Sequence, residues 1–132
     1  MEEQKKGMEF VREESIKYSG SMYEPYELLG RYLTETIVDW TQMKKTLFQD
    51  PPAGALTLRE KELITIGMQM ATRFPNMELH TKKAMEAGAT VKEVAEVAAL
   101  AIIFGGMMTY VVSGQKSLKI AEDYENSKKG TK

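Results

Sequence analysis

Thr57-Leu58-Arg59-Glu60-Lys61-Glu62-Leu63-Ile64 is the stretch on which the fold turns. Thr57 followed three residues later by Glu60 is the pattern of a capping box, in which the hydroxyl accepts from the Glu60 N–H and the carboxylate returns to the Thr57 N–H. Leu63, Ile64, Ile66, Gly67, Met70 and Ala71 follow at helical spacings, so a helix opens here with an apolar face. It ends near Arg73-Phe74-Pro75-Asn76, because Pro75 pushes Phe74 out of the helical region. Upstream, Asp50-Pro51-Pro52-Ala53-Gly54-Ala55 is a loop that two prolines and a glycine keep from becoming helical.

The same period continues downstream. A short helix is expected from about Asn76 to Ala87, with Gly88 as its C-terminal stop. Thr90-Val91-Lys92-Glu93 is a second capping box. The helix it opens feeds a run without charge from Val97 to Val112. That run is shorter than the ~18–20 residues of a membrane span, and Gly105-Gly106 interrupts it. A helix apolar on every side must be buried on every side, which here implies neighbouring subunits as well as the chain itself. Gly105 and Gly106 allow close backbone approach or a kink. A last amphipathic helix, about Gln115 to Ser127, carries Leu118, Ile120, Ala121 and Tyr124, and 128–132 is expected to be a disordered tail.

Toward the N-terminus a charged helix is expected over Gln4–Lys17, broken by Tyr18-Ser19-Gly20-Ser21. A second is expected from Pro25 to Leu47, with Tyr26, Leu29, Leu33, Ile37 and Trp40 as one apolar stripe. The fold class is therefore all-α. About six helices form one domain overall, with N-terminal helices and a loop over 1–55 and a core over 56–127.

Composition narrows the chemistry. The 132 residues carry a net charge of −1, no cysteine and one histidine, His80. Disulfides, thiolate metal sites and cysteine catalysis are excluded. There is no basic field for a nucleic acid; the lysines near both ends read as solvated termini. The first ten residues lack a signal-peptide core, and the absence of cysteine suits a cytoplasmic setting. Ten methionines read as adaptable packing. No phosphate loop, H-E-x-x-H pair or G-x-S-x-G elbow is present, and one histidine cannot build a histidine-rich metal site, so no metal or cofactor is expected.

His80 shares a helical face with Met77, Ala84, Ala87 and Gly88 and so points inward. An inward histidine is either a satisfied structural group or, beside a cavity, a proton donor and acceptor near neutral pH. Glu62 shares a face with Leu58, Ile66 and Gln69. The helix dipole alone favours a carboxylate there, but one that reached His80 would orient the ring and raise its basicity. Arg59 and Arg73 are surface cations or a grip on an anion through paired N–H donors.

The stretch Leu56–Ile64, the apolar helix after it, His80, then Ala84, Glu86-Ala87-Gly88-Ala89-Thr90, Glu93-Val94 and Ile103-Phe104-Gly105-Gly106 together resemble the carboxymuconolactone decarboxylase and alkylhydroperoxidase D superfamily. The resemblance covers roughly Leu56 to Tyr124. It implies an all-helical fold and a homo-oligomer, a trimer or a hexameric ring. In the redox branch of that superfamily a C-x-x-C pair precedes the histidine. Those positions fall near Arg73 and on Asn76 here, so thiol-dependent peroxidase chemistry, which needs a thiolate, is disfavoured.

The decarboxylase branch has no obligatory cysteine pair. The resemblance then implies a cofactor-free lyase that removes carbon dioxide from a small organic acid. In it His80 and Glu62 would be catalytic, and Arg59, Arg73 and Asn76 would bind substrate. The alternative is a non-catalytic oligomeric binding protein of the same fold. Three departures from the family pattern mark this chain: a loop before His80 one residue shorter, Phe104 where a tyrosine is typical, and Met107-Met108 in place of a proline turn. The last two are expected to reshape the cavity wall.

Overall fold

A computed structural model of the protein describes residues 1–130. The described residues hold seven α-helices, one π-helical turn and no strand. They group into two compact units, Met1–Gln49 and the residues from Asp50 onward.

The first unit contains α1 (Glu2–Ser19), α2 (Glu24–Gly30) and α3 (Thr34–Leu47). Pro25 stands at the start of α2, where its missing N–H is not needed. Met8, Val11 and Ile37 form the small core, with Phe10, Met22, Tyr26 and Val38 against it. Arg12 grips both carboxylate oxygens of Glu27, tying α1 to α2, with Nε 3.2 Å from Oε2. Trp40 Nε1–H donates to the Tyr26 hydroxyl at 3.0 Å.

The single helix expected over Pro25–Leu47 is two. The chain leaves α2 through tight turns, the Arg31 and Tyr32 N–H groups bonding to Leu28 and Leu29. Thr34 Oγ1 then donates to the Gly30 carbonyl at 2.7 Å. A side chain at Gly30 would collide with the Met8 thioether, so the end of α2 sits hard against α1. The break dissolves the stripe: Ile37 is buried, while Leu29, Leu33 and Trp40 are exposed.

The second unit contains α4 (Leu58–Ala71), α5 (Glu78–Glu86), α6 (Val91–Gly105), the π-helical turn Tyr110–Gly114 and α7 (Gln115–Lys129). Both capping boxes form as the sequence predicts, Thr57 with Glu60 and Thr90 with Glu93. Helix α4 packs on α5 and α6, and α7 packs on both of those. Ile66, Met70, Met77, Ala84, Val94, Ala98 and Ala121 fill the space between them. Truncating a core residue such as Ile66 to alanine would cost about 2–5 kcal/mol.

Two helix ends explain how the chain turns between α4, α5 and α6. Helix α5 ends in a Schellman arrangement, the Ala89 N–H returning to the Ala84 carbonyl and the Gly88 N–H to Met85. Gly88 has φ 101°, the left-handed region that glycine enters without strain. Helix α4 ends with the same bond pattern, Phe74 N–H to Gln69 and Arg73 N–H to Met70, but the left-handed position holds Arg73 at φ 58°.

Two further expectations change. The uncharged run is not buried on every side within this chain: Leu100 and Ile103 are exposed and Phe104 is 90% exposed, so Phe104 does not line an internal cavity wall. Helix α7 continues through Lys128 and Lys129, where a disordered tail was expected from 128. Thr131 and Lys132, the rest of that tail, lie outside the described residues.

Candidate active site

Glu62 sits in the second turn of α4, whose start the Thr57–Glu60 box fixes. It points into the contact with α5, and its side chain is 3% exposed. His80 lies in the first turn of α5 with a side chain 16% exposed. Its Nδ1 is 2.8 Å from Glu62 Oε2. A buried carboxylate is tolerable only when it is hydrogen-bonded and paired. With Glu62 ionised, Nδ1–H donates to it. The neutral ring then carries its lone pair on Nε2, and the protonated ring gains a counter-charge. Such a pair orients an imidazole for proton transfer.

The other expected site residues lie elsewhere on the second unit. Arg59, in the first turn of α4, puts Nη2 3.1 Å from Glu93 Oε1, so it joins the starts of α4 and α6. Arg73 is exposed in the link between α4 and α5. Asn76 is exposed and uses Oδ1 to accept the Glu78 N–H at 3.3 Å, at the start of α5. It also lines an open hollow of about 480 Å³ with Met77, Glu78, Gln115, Lys116 and Lys119. His80 and Glu62 are not among the residues lining that hollow. The structure therefore brings His80 and Glu62 together and gives Arg59 and Asn76 local structural partners.

Sequence reasoning missed the polar groups behind His80. Thr81, Ser113 and Ser117 are completely buried. Thr81 Oγ1 and Ser117 Oγ are 2.6 Å apart, and Ser113 Oγ donates to the Phe74 carbonyl at 2.6 Å. The only available signal was the four-residue spacing of Thr109, Ser113 and Ser117, which runs from the uncharged stretch into the last amphipathic helix. Among the described residues no three His, Asp or Glu side chains converge as a metal site. None of the described helices is long and apolar enough to cross a membrane.

The class defined by these features is an all-helical protein with a partly buried histidine paired to a buried carboxylate, and no thiol. The chain belongs to the carboxymuconolactone decarboxylase family, whose model matches residues 38–112, more than half of its length. That match starts inside α3, earlier than the resemblance read from Leu56, and ends in the π-helical turn. A crystal structure from Burkholderia xenovorans LB400, provisionally named a carboxymuconolactone decarboxylase, has the same fold. It is 27% identical, covers 98% of each chain and superposes with a TM-score of 0.85. No curated protein matches the chain.

Proposed function

We propose that this protein is a cofactor-free carboxy-lyase acting on a small organic acid, of the lactone-bearing dicarboxylic class that the family's name describes. The observation that carries the reading is the 2.8 Å bond between His80 and buried Glu62. In decarboxylation the bond to the departing carboxylate breaks and its electron pair stays on the substrate carbon. The imidazolium of His80 delivers a proton to that carbon, while Glu62 stays ionised and stabilises the cation before transfer. Arg73 grips the carboxylates, and Arg59 and Asn76 contribute to binding at the edges of the same unit.

The test uses the fact that His80 is the only histidine, so its ring resonances need no assignment. Carboxymuconolactone and related lactone acids are titrated into 15N-labelled protein. Binding that shifts the ring nitrogens supports the reading, and saturable binding that leaves them unmoved counts against it.

One observation favours the second reading, a non-catalytic binding protein. Asn76 lines a hollow with Lys116 and Lys119 that His80 does not line. A carboxylate held there would be bound without being turned over. Calorimetry on Lys116→Ala and His80→Ala separates the two: the binding reading predicts that only the first loses affinity.

The same proposal includes assembly into a trimer or hexamer and a cytoplasmic setting. Leu100, Ile103, Phe104, Met107 and Met108 are all exposed on one uncharged run, more apolar surface than a helix end ordinarily leaves to water. Light scattering on the wild type and on Phe104→Lys tests it; a monomeric wild type would contradict it.

A further inference from the structure

Helix α5 begins at Glu78, and His80 and Thr81 are successive residues in its first turns. Successive side chains on a helix point about 100° apart, so the two reach different neighbours. His80 reaches Glu62 on α4 at 2.8 Å, and Thr81 reaches Ser117 on α7 at 2.6 Å. The link that leads into α5 is held from the same side as Thr81: Ser113 Oγ donates to the Phe74 carbonyl at 2.6 Å. The segment from Phe74 to Thr81, which carries His80, is thus tied at both ends to one stripe of the helix that ends as α7.

Thr81, Ser113 and Ser117 are each fully buried beside an apolar core of Met77, Ala84, Met85 and Ala121. Valine would fill the volume of Thr81 as well, with no hydroxyl to satisfy. Apolar contacts tolerate small rotations of a helix, whereas a short hydroxyl pair has one geometry. What the polar pair adds is a fixed rotation of α5 about its own axis. That rotation sets where the His80 ring meets Glu62.

We propose that Thr81, Ser117 and Ser113 are positioning residues that hold His80 in register with Glu62. Their importance for turnover rests on the reading of His80 as the proton-transfer group; the geometric claim does not, and its test needs no substrate. In 15N-labelled wild-type protein the lone histidine is expected to show a proton on Nδ1 that exchanges slowly with water. The double variant Thr81→Val with Ser117→Ala removes both hydroxyls, so neither is left buried without a partner. Folding is checked by circular dichroism. The double variant is expected to lose the slowly exchanging Nδ1 proton and to average the two ring nitrogens, while Thr81→Ser, which keeps the hydroxyl, retains the wild-type signature. A folded double variant with the wild-type signature overturns the proposal. So does loss of the signature in Thr81→Ser, because volume and not the hydroxyl would then be responsible. Ser113→Ala tests the other tie independently: a broadened Nδ1 proton supports the proposal and an unchanged one contradicts it. A wild-type protein that shows this pattern but turns over no organic acid would defeat the lyase reading and leave the positioning claim standing.

Discussion

Oε2 of Glu62 accepts from Nδ1 of His80 at 2.8 Å, across the contact between α4 and α5, from a side chain that is 3% exposed. The bond fixes which nitrogen carries the proton. Glu62→Gln keeps the shape but can present N–H instead of oxygen to the ring, which favours the other tautomer. If His80 transfers the proton, turnover is expected to fall by about 10²-fold or more, with substrate affinity little changed, because only the proton-transfer geometry is lost. Steady-state kinetics separating kcat from KM checks this.

Arg73 occupies a left-handed position, φ 58°, that Gly88 fills at the equivalent end of α5. A side chain there costs roughly 1–2 kcal/mol, and the flexibility that glycine adds to the unfolded chain offsets part of the gain. Arg73→Gly is expected to stabilise the protein by about 0.5–1 kcal/mol in urea unfolding. If Arg73 grips the substrate, the same variant raises KM severalfold. A more stable protein that binds its acid less well is the predicted combination.

Glu93 serves two partners: Oε2 accepts the Thr90 N–H at 2.9 Å and Oε1 meets Arg59 at 3.1 Å. Thr90→Ala should cost about 1 kcal/mol as a lost cap. The Arg59–Glu93 pair is about one third exposed on both sides, so a double-mutant cycle should give a coupling of only about 0.2–1 kcal/mol. Because Glu93 is shared, Thr90→Ala and Arg59→Ala should not be additive. Chemical denaturation of the two single variants and the double variant measures this.

In the first unit the hydrogen bond from Arg12 holds the Glu27 carboxyl below its ordinary value of 4.5. A carboxylate with a depressed value contributes stability above its unfolded value and loses it as pH falls through the folded one. Thermal unfolding followed from pH 6 downward should therefore show extra destabilisation below about 4.5. Glu27→Gln should flatten that slope, and added salt should weaken the effect in the wild type. The pair is exposed, so the effect is small.

The capped starts of α4 and α6 and the stop at Gly88 were legible because capping boxes and left-handed glycines are written in adjacent residues. His80 and Glu62 were legible as candidates for the same reason: each shows its inward face in its own helix. Their meeting was not legible, because it depends on how α4 crosses α5. The break after Gly30 was hidden because the close approach of Gly30 to Met8 joins residues more than twenty apart in the chain. Arg73 was read for its charge, and nothing in its neighbours announces a left-handed backbone. The ties made by the hydroxyls of Ser113 and Ser117 were not legible, since their partners Phe74 and Thr81 lie far away in the chain.

The most direct test of the central claim is carbon dioxide release from a lactone-bearing dicarboxylic acid by wild type and His80→Ala at equal concentration, with the fold of both checked by circular dichroism. If His80 delivers the proton, the wild type releases carbon dioxide and the variant is slower by about 10²–10⁴-fold. Release at the wild-type rate by a folded His80→Ala protein would contradict the account.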